Sequence, residues 1–158
     1  MEIAIIIAVV LAVYFIFIRK KDKKEQKENT DVQYFYTDFE LKLIDEVNNY
    51  RKSLGLEEVK TSDYISQICL EHNNYMQKQG KASHDNFESR SERIVNNLDA
   101  DSVGENVAFN FSTPRATLHA WLQSPSHKEN LENPKWNIMG MSNFSKYSTN
   151  IFAQLKNN

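Results

Sequence analysis

The sequence predicts an α+β layered domain behind an N-terminal transmembrane helix, on three observations. Residues Ile3 to Ile18 form an unbroken apolar run closed by Arg19-Lys20-Lys21. The middle of the chain places apolar residues at three- and four-residue steps, the period of amphipathic helices. The last part carries two β-rich segments separated by a short polar stretch, the pattern of a hairpin. Helices first and an antiparallel sheet late is an α+β order.

The apolar run is taken as an uncleaved anchor over residues 1–18. Its sixteen residues fall short of the roughly 20 that span a hydrocarbon core, a gap that flanking Arg and Lys close by snorkelling. A secretory signal would carry a basic start and a small-x-small cleavage site. This run starts with Glu2 and has neither. Residues 19–36 read as a charged linker, with a first half basic enough to touch anionic lipid head groups. The domain proper is assigned to 37–158. The whole chain carries a net charge of −2, which argues against nucleic acid as a partner. A single cysteine, Cys69, excludes an intramolecular disulfide. Its place on an apolar helical stripe suits an inert core thiol.

Each element has a local reason. Thr37-Asp38-Phe39-Glu40 is a capping box, and Phe39, Leu43, Val47 and Tyr50 follow at helical steps until Gly55. A second helix starts near Thr61-Ser62, with Ile65, Ile68, Cys69, His72, Tyr75 and Met76 on one face and Gly80 as its C-cap. Residues 81–85 form a loop that delivers His84. Phe87, Ile94, Val95 and Leu98 mark a third, shorter helix carrying Arg90 and Arg93. Residues 99–102 read as a turn, and 103–109 as an extended or mixed segment. Thr113-Pro114 is a helix start with proline at its first position. A short helical turn is expected to be capped by Ser126 and to run through Leu131. Strands are expected over 136–143 and 147–155.

Three patches carry the candidate chemistry: Ser83-His84, Gly104-Glu105-Asn106, and Ser124 to Asn130. His84, Glu105 and His127 lie off the apolar stripes, each beside a residue that bends or caps the backbone. Imidazole and carboxylate together can hold a metal, relay a proton or tie loops together. No local metal motif links them, so only tertiary folding can bring them together. His72, on an apolar face, reads as a core histidine, and His119 as a helix-surface or packing residue.

In order along the chain, several segments resemble the CAP superfamily (cysteine-rich secretory proteins, antigen 5, pathogenesis-related 1), or SCP domain, in its short bacterial form. They are Asn48-Asn49-Tyr50-Arg51, Glu71 to Met76, Ser83 to Phe87, Gly104 to Ala108, Trp121 to Leu131, Asn137 to Met141 and Tyr147 to Ala153. The resemblance implies an α-β-α sandwich with a small antiparallel sheet. It also implies a cleft of two histidines and two acidic residues that bind zinc or another divalent cation. His84 and Glu105 match the first histidine and the glutamate, and His127 fits the second histidine. Asn106 and Asn130 fall in the same cleft motifs. Ser124 stands where eukaryotic members tend to carry the second acid. His84, His127 and Glu105 are therefore the metal ligands the resemblance implies, one carboxylate short.

The first functional reading is a membrane-anchored binding or interaction module whose cleft receives a peptide, lipid or glycan. A metal-dependent hydrolase with Glu105 as base and a lipid- or sterol-binding protein are the alternatives. No confident catalytic residue emerges. Topology is in conflict. Five of the six residues from Arg19 to Lys24 are basic, which places the domain in the cytoplasm by the positive-inside rule, whereas the resemblance implies an extracytoplasmic domain.

Overall fold

A computed structural model describes residues 28–156. The helices are α1 (Asp38–Ser53), α2 (Asp63–Gln79), α3 (Phe87–Leu98), α4 (Pro114–Leu122) and α5 (Pro125–Glu132); the strands are β1 (Lys60–Thr61), β2 (Ala100–Phe109), β3 (Ile138–Phe144) and β4 (Tyr147–Leu155). The expected anchor over 1–18 lies outside the described residues. Among those described, no helix is long and apolar enough to cross a membrane.

The caps form where the local sequence dictates. Thr37 and Glu40 make the reciprocal capping box at the start of α1, and Thr113 caps α4 with proline behind it. Gly80 ends α2 in the left-handed conformation at φ 72°, which costs glycine nothing because it has no Cβ. One cap differs from expectation. Ser124, not Ser126, occupies the N-cap of α5, because Pro125 is already its first helical residue, where a missing N–H costs no bond.

The strands form one sheet in the order β1-β3-β4-β2. The expected hairpin is β3–β4, with Phe144 opposite Tyr147. Two features correct the sequence reading. The residues read as a turn from Ala100 onward belong to β2, which pairs antiparallel with β4 from Ala100 to Phe109. The sheet is also mixed, since β1 pairs parallel to β3. A pair contributed by two residues is too short to leave a periodic signal.

Alternation along the strands builds three layers. Phe152, Met139 and Met141 face α1, α4 and α5, in a core with Leu43, Val47, Leu118, Trp121 and Leu131. Ile151 and Ala153 face α2 and α3, among Ile65, Ile68, Cys69 and Ile94. Cys69 is buried and free, with burial pushing its thiol pKa up, so the core-thiol reading holds. Helix α2 lies so close to β3 that a Cβ on Gly140 would sit 2.4 Å from the backbone of Ile65 and Ser66.

Buried polar groups pin the layers. Glu40 is 1% exposed and accepts from Tyr34 Oη and Asn143 N on one oxygen, and from Thr37 N and Oγ1 on the other. Asn73 donates to Ser142 O and accepts from Thr149 Oγ1, fixing α2 to β3 and β4. The later part of the expected linker, residues 28–36, packs along the domain. Glu28 accepts from Arg93 and Tyr64, and Tyr36 bonds Ser66.

Four of the six large exposed apolar side chains among the described residues gather at one end, the others being Leu41 on α1 and Leu54 just after it. Phe109 and Phe144 flank Tyr147 at the hairpin end of the sheet. Phe111 follows Phe109, and Phe35 lines the same depression as Phe144. Glu28 meets the domain at the first turn of α2 and the last turns of α3, beside the start of β2.

Gly140→Ala should destabilise the domain by about 3 kcal/mol, because backbone rather than a flexible side chain blocks the added methyl. Denaturant unfolding of the variant and the parent measures the difference.

Candidate functional site

The site assembles around the edge of β2. Alternation along this strand sends Glu105 toward α3 and Asn106 toward α5. Glu105 is 5% exposed, and a carboxylate so deep requires a partner. Arg90 of α3 provides it. Its Nε donates to Glu105 Oε2 and its Nη2 to Oε1, both at 2.8 Å, a two-pronged grip that suits guanidinium geometry. The third arm of Arg90, Nη1, donates to Asp85 O at 2.7 Å and so ties down the loop before α3.

That loop carries His84. His72 Nε2 contacts Ser83 O at 2.8 Å, and Phe87 N donates to His84 O. Asn86 turns the chain into α3 at φ 61°. Held at both ends, His84 places Nδ1 2.8 Å from Glu105 Oε1. A carboxylate oxygen engaged this way accepts, so Nδ1 carries the proton and Nε2 points elsewhere on the ring.

His127 arrives from the other layer, on α5. Asn106 Nδ2 donates to His127 O at 3.0 Å, and Asn130 Nδ2 donates to both Glu105 O and Asn106 Oδ1. Trp136 Nε1 donates to Asn130 O. Gly104 makes room for this packing, since a Cβ there would lie 2.6 Å from Asn130 Oδ1. The ring centres of His84 and His127 are 5.8 Å apart. Partial burial, then the neighbouring His84, lower the pKa of His127, against the pull of Glu105.

Tertiary folding therefore brings together all five residues singled out from the sequence: His84, Glu105 and His127, with Asn106 and Asn130 behind them. His119 is exposed on α4 and takes no part. His72 is buried, as its stripe requires, and its Nδ1 has no hydrogen-bond partner among the described residues. Burial lowers its pKa against the pull of Glu105, whose Oε1 lies 3.9 Å from Nε2. Arg90 was given no role by the sequence reading. Its signal was present, since Phe87, Arg90, Ile94 and Leu98 share one helical stripe, and an arginine on an inward stripe needs a buried acid.

The geometry bears on the expected metal. Both Glu105 oxygens already accept from Arg90, and one also accepts from His84. A guanidinium 2.8 Å away repels a divalent cation at the same carboxylate. Among the described residues, no group of three His, Cys, Asp or Glu side chains is arranged to hold a metal ion. The three-ligand set of His84, His127 and Glu105 does not fit such an ion while Arg90 holds Glu105. The imidazole of His84 is exposed in the cleft, and that of His127 is half-buried beside it.

Two outcomes follow from these contacts. Arg90→Met should cost about 3–5 kcal/mol of stability because it strands a buried carboxylate, and the double variant Arg90→Met/Glu105→Met should lose less; chemical denaturation compares them. His72 and His127 have folded pKa values below the ordinary 6.5, so the unfolded chain binds more protons below that pH. Their contribution to stability is present above 6.5 and is lost as pH falls toward the folded values. The melting temperature should drop between about pH 7.5 and about pH 5, less steeply in His72→Asn.

Comparison with known proteins gives the chain its relatives. A curated relative, the uncharacterized membrane protein YlbC of Bacillus subtilis, is 26% identical over 121 residues, which cover 75% of this chain and 35% of that protein. The chain thus spans about a third of the curated relative. An extracellular protein containing a SCP domain from Bacillus anthracis superposes with a TM-score of 0.68 at 22% identity, over 77% of this chain and 45% of the other. An outer surface protein of Borrelia burgdorferi gives a TM-score of 0.67 at 22% identity, over 78% of this chain and 98% of the other. At these identities the structures show a shared fold. The CAP profile, described as the cysteine-rich secretory protein family, matches residues 44–154, and the chain belongs to that family.

Proposed function

We propose that this CAP domain is a membrane-anchored, extracytoplasmic interaction module whose recognition surface is the cleft of His84, Glu105, His127, Asn106 and Asn130. The two-pronged grip of Arg90 on Glu105 carries this reading. A carboxylate serving as general base needs a free oxygen within reach of the proton it takes. Here the buried oxygens are spent on Arg90 and His84, so Glu105 organises the loop and strand around it. What remains for a ligand is a pair of imidazoles on a preformed rim. A peptide, lipid or glycan is the ligand class this reading expects.

Placement outside the cytoplasm draws support from the relatives. One is described as a membrane protein, one as extracellular and one as an outer surface protein. The basic flank of the apolar run argues the other way. Protease treatment of intact cells decides between them. Digestion of the domain is expected, and a domain protected until lysis would overturn the external placement.

Zinc tests the cleft itself. Full-length protein exposed to zinc and then desalted should retain less than one equivalent through His84, Glu105 and His127. Stoichiometric zinc that is lost in both His84→Ala and His127→Ala would instead support the metal-dependent hydrolase. If the same variants lose thermal stability without any zinc, the histidines act mainly as ties between loops.

A further inference from the structure

Helix α4 turns one face into the core and leaves another open. Thr117, Leu118 and Trp121 are buried, whereas Arg115 and His119 are exposed and Ala116 and Ala120 partly so. Residues four apart in a helix stand one above the other. Arg115 with His119, and Ala116 with Ala120, therefore make two neighbouring rows along the open face. Leu118 and Trp121, packed in the core behind them, hold these rows in place.

Just before the helix the chain leaves the sheet. Asn110 takes a left-handed turn at φ 67°, and its N–H donates to Lys146 O at 2.7 Å. The next residue, Phe111, is carried to the side of α4 and stays 39% exposed. Together with Thr113, the phenylalanine and the two helical rows line a groove of about 500 Å³. That volume falls within the roughly 300–1,000 Å³ of small-molecule sites. None of the cleft residues lines it.

The charge of this groove is unmatched. Among the described arginines, Arg51 is spent on backbone carbonyls, Arg90 on Glu105, and Arg93 on Glu28 and Glu71. Arg115 alone of these arginines has no hydrogen bond or ion pair among the described residues. The local sequence gives the reason. No aspartate or glutamate occurs between Glu105 and Glu129, although acids outnumber lysine and arginine by 21 to 19 in the whole chain.

An exposed guanidinium beside an aromatic ring and two methyl groups suits a ligand with one anionic end and an apolar body. A guanidinium fork meets a carboxylate through two parallel hydrogen bonds, and a second ring packs on Phe111 edge-on or offset. The imidazole of His119 stands one turn from Arg115 and adds a further polar contact. A simple inorganic anion would leave Phe111 and the alanines in water. A neutral ring would leave Arg115 unpaired.

We infer that the α4 groove binds a small aromatic monocarboxylate, with its carboxylate on Arg115 and its ring against Phe111 and the Ala116–Ala120 row. The site shares no residue with the histidine cleft and stands independently of the function proposed there.

The test uses the full-length chain in nanodiscs of neutral lipid, with ¹⁵N-labelled arginine and phenylacetate as the probe. Phenylacetate should move the Arg115 Nε resonance, identified by its loss in Arg115→Gln, with a Kd of about 1 mM. Saturation transfer from the protein to the phenyl ring should accompany the shift. Arg115→Gln and Phe111→Ala, both at exposed positions, should each weaken binding about ten-fold, whereas Phe111→Trp, which keeps an aromatic wall, should retain it. Acetate, inorganic phosphate and 2-phenylethanol should each bind at least about ten-fold more weakly than phenylacetate. Any of these three binding as tightly as phenylacetate overturns the inference, since one half of the ligand would then suffice. Binding that either Arg115→Gln or Phe111→Ala leaves unchanged overturns it, as does the absence of saturable binding below about 10 mM. Loss of binding in His84→Ala or His127→Ala would place the probe in the cleft and overturn it too.

Discussion

The carboxylate of Glu105 sits where water cannot reach it, and the placement of its neighbours follows from that. An acid at this depth needs a fixed cation, so α3 must present Arg90 on the stripe that otherwise carries Phe87, Ile94 and Leu98. Arg90 in turn must hold the carbonyl of Asp85 to satisfy its remaining arm. The loop between α2 and α3 is thereby pinned at one end, and His72 pins it at the other through Ser83. His84 is left with one position, on the same carboxylate oxygen. The exposed histidine is the last link of a chain that begins with a desolvated charge.

Much of this could be read from the sequence because the signals are local. A capping box, a proline at a first helical position and a glycine after an apolar stripe each act within a few residues, and α1, α2 and α4 form where those signals stand. The hairpin was legible for the same reason. The parallel pairing of β1 was not, since two residues hold no period and their partner lies far along the chain. The early part of β2 was misread because its polar residues resemble a turn, while the bonds that make it a strand come from β4. The cleft divides in the same way. Its histidines and glutamate stand out beside turn-formers, but the ion pair that fixes their chemistry joins residues fifteen apart on different elements, and only the stripe around Arg90 hinted at it.

The family is named for its cysteines, yet this member has a single, buried one. Polar pins stand in for cross-links. Arg51 is fully buried, pairs with no carboxylate among the described residues, and donates to the carbonyls of Glu57, Leu131 and Asn133, stitching the end of α1 to the end of α5. Burial lowers its pKa, but a guanidinium keeps its charge through such a shift. A lysine could neither reach three carbonyls with fixed geometry nor resist neutralisation. Helix α5, with His127 and Asn130 on it, is thus held from below by α1 and from the side by β2.

The uneven surface gives the molecule a direction. The described chain joins the domain at Glu28, beside the start of β2, whereas Phe35, Phe109, Phe111 and Phe144 stand around the hairpin at the far end. Strand β2 runs between these ends for ten residues, roughly 30 Å at the rise of a strand. The two ends are therefore poles, with the histidine rim on the flank between them. A partner that covers the phenylalanines can therefore do so without disturbing the Glu28–Arg93 pair at the other end of the sheet.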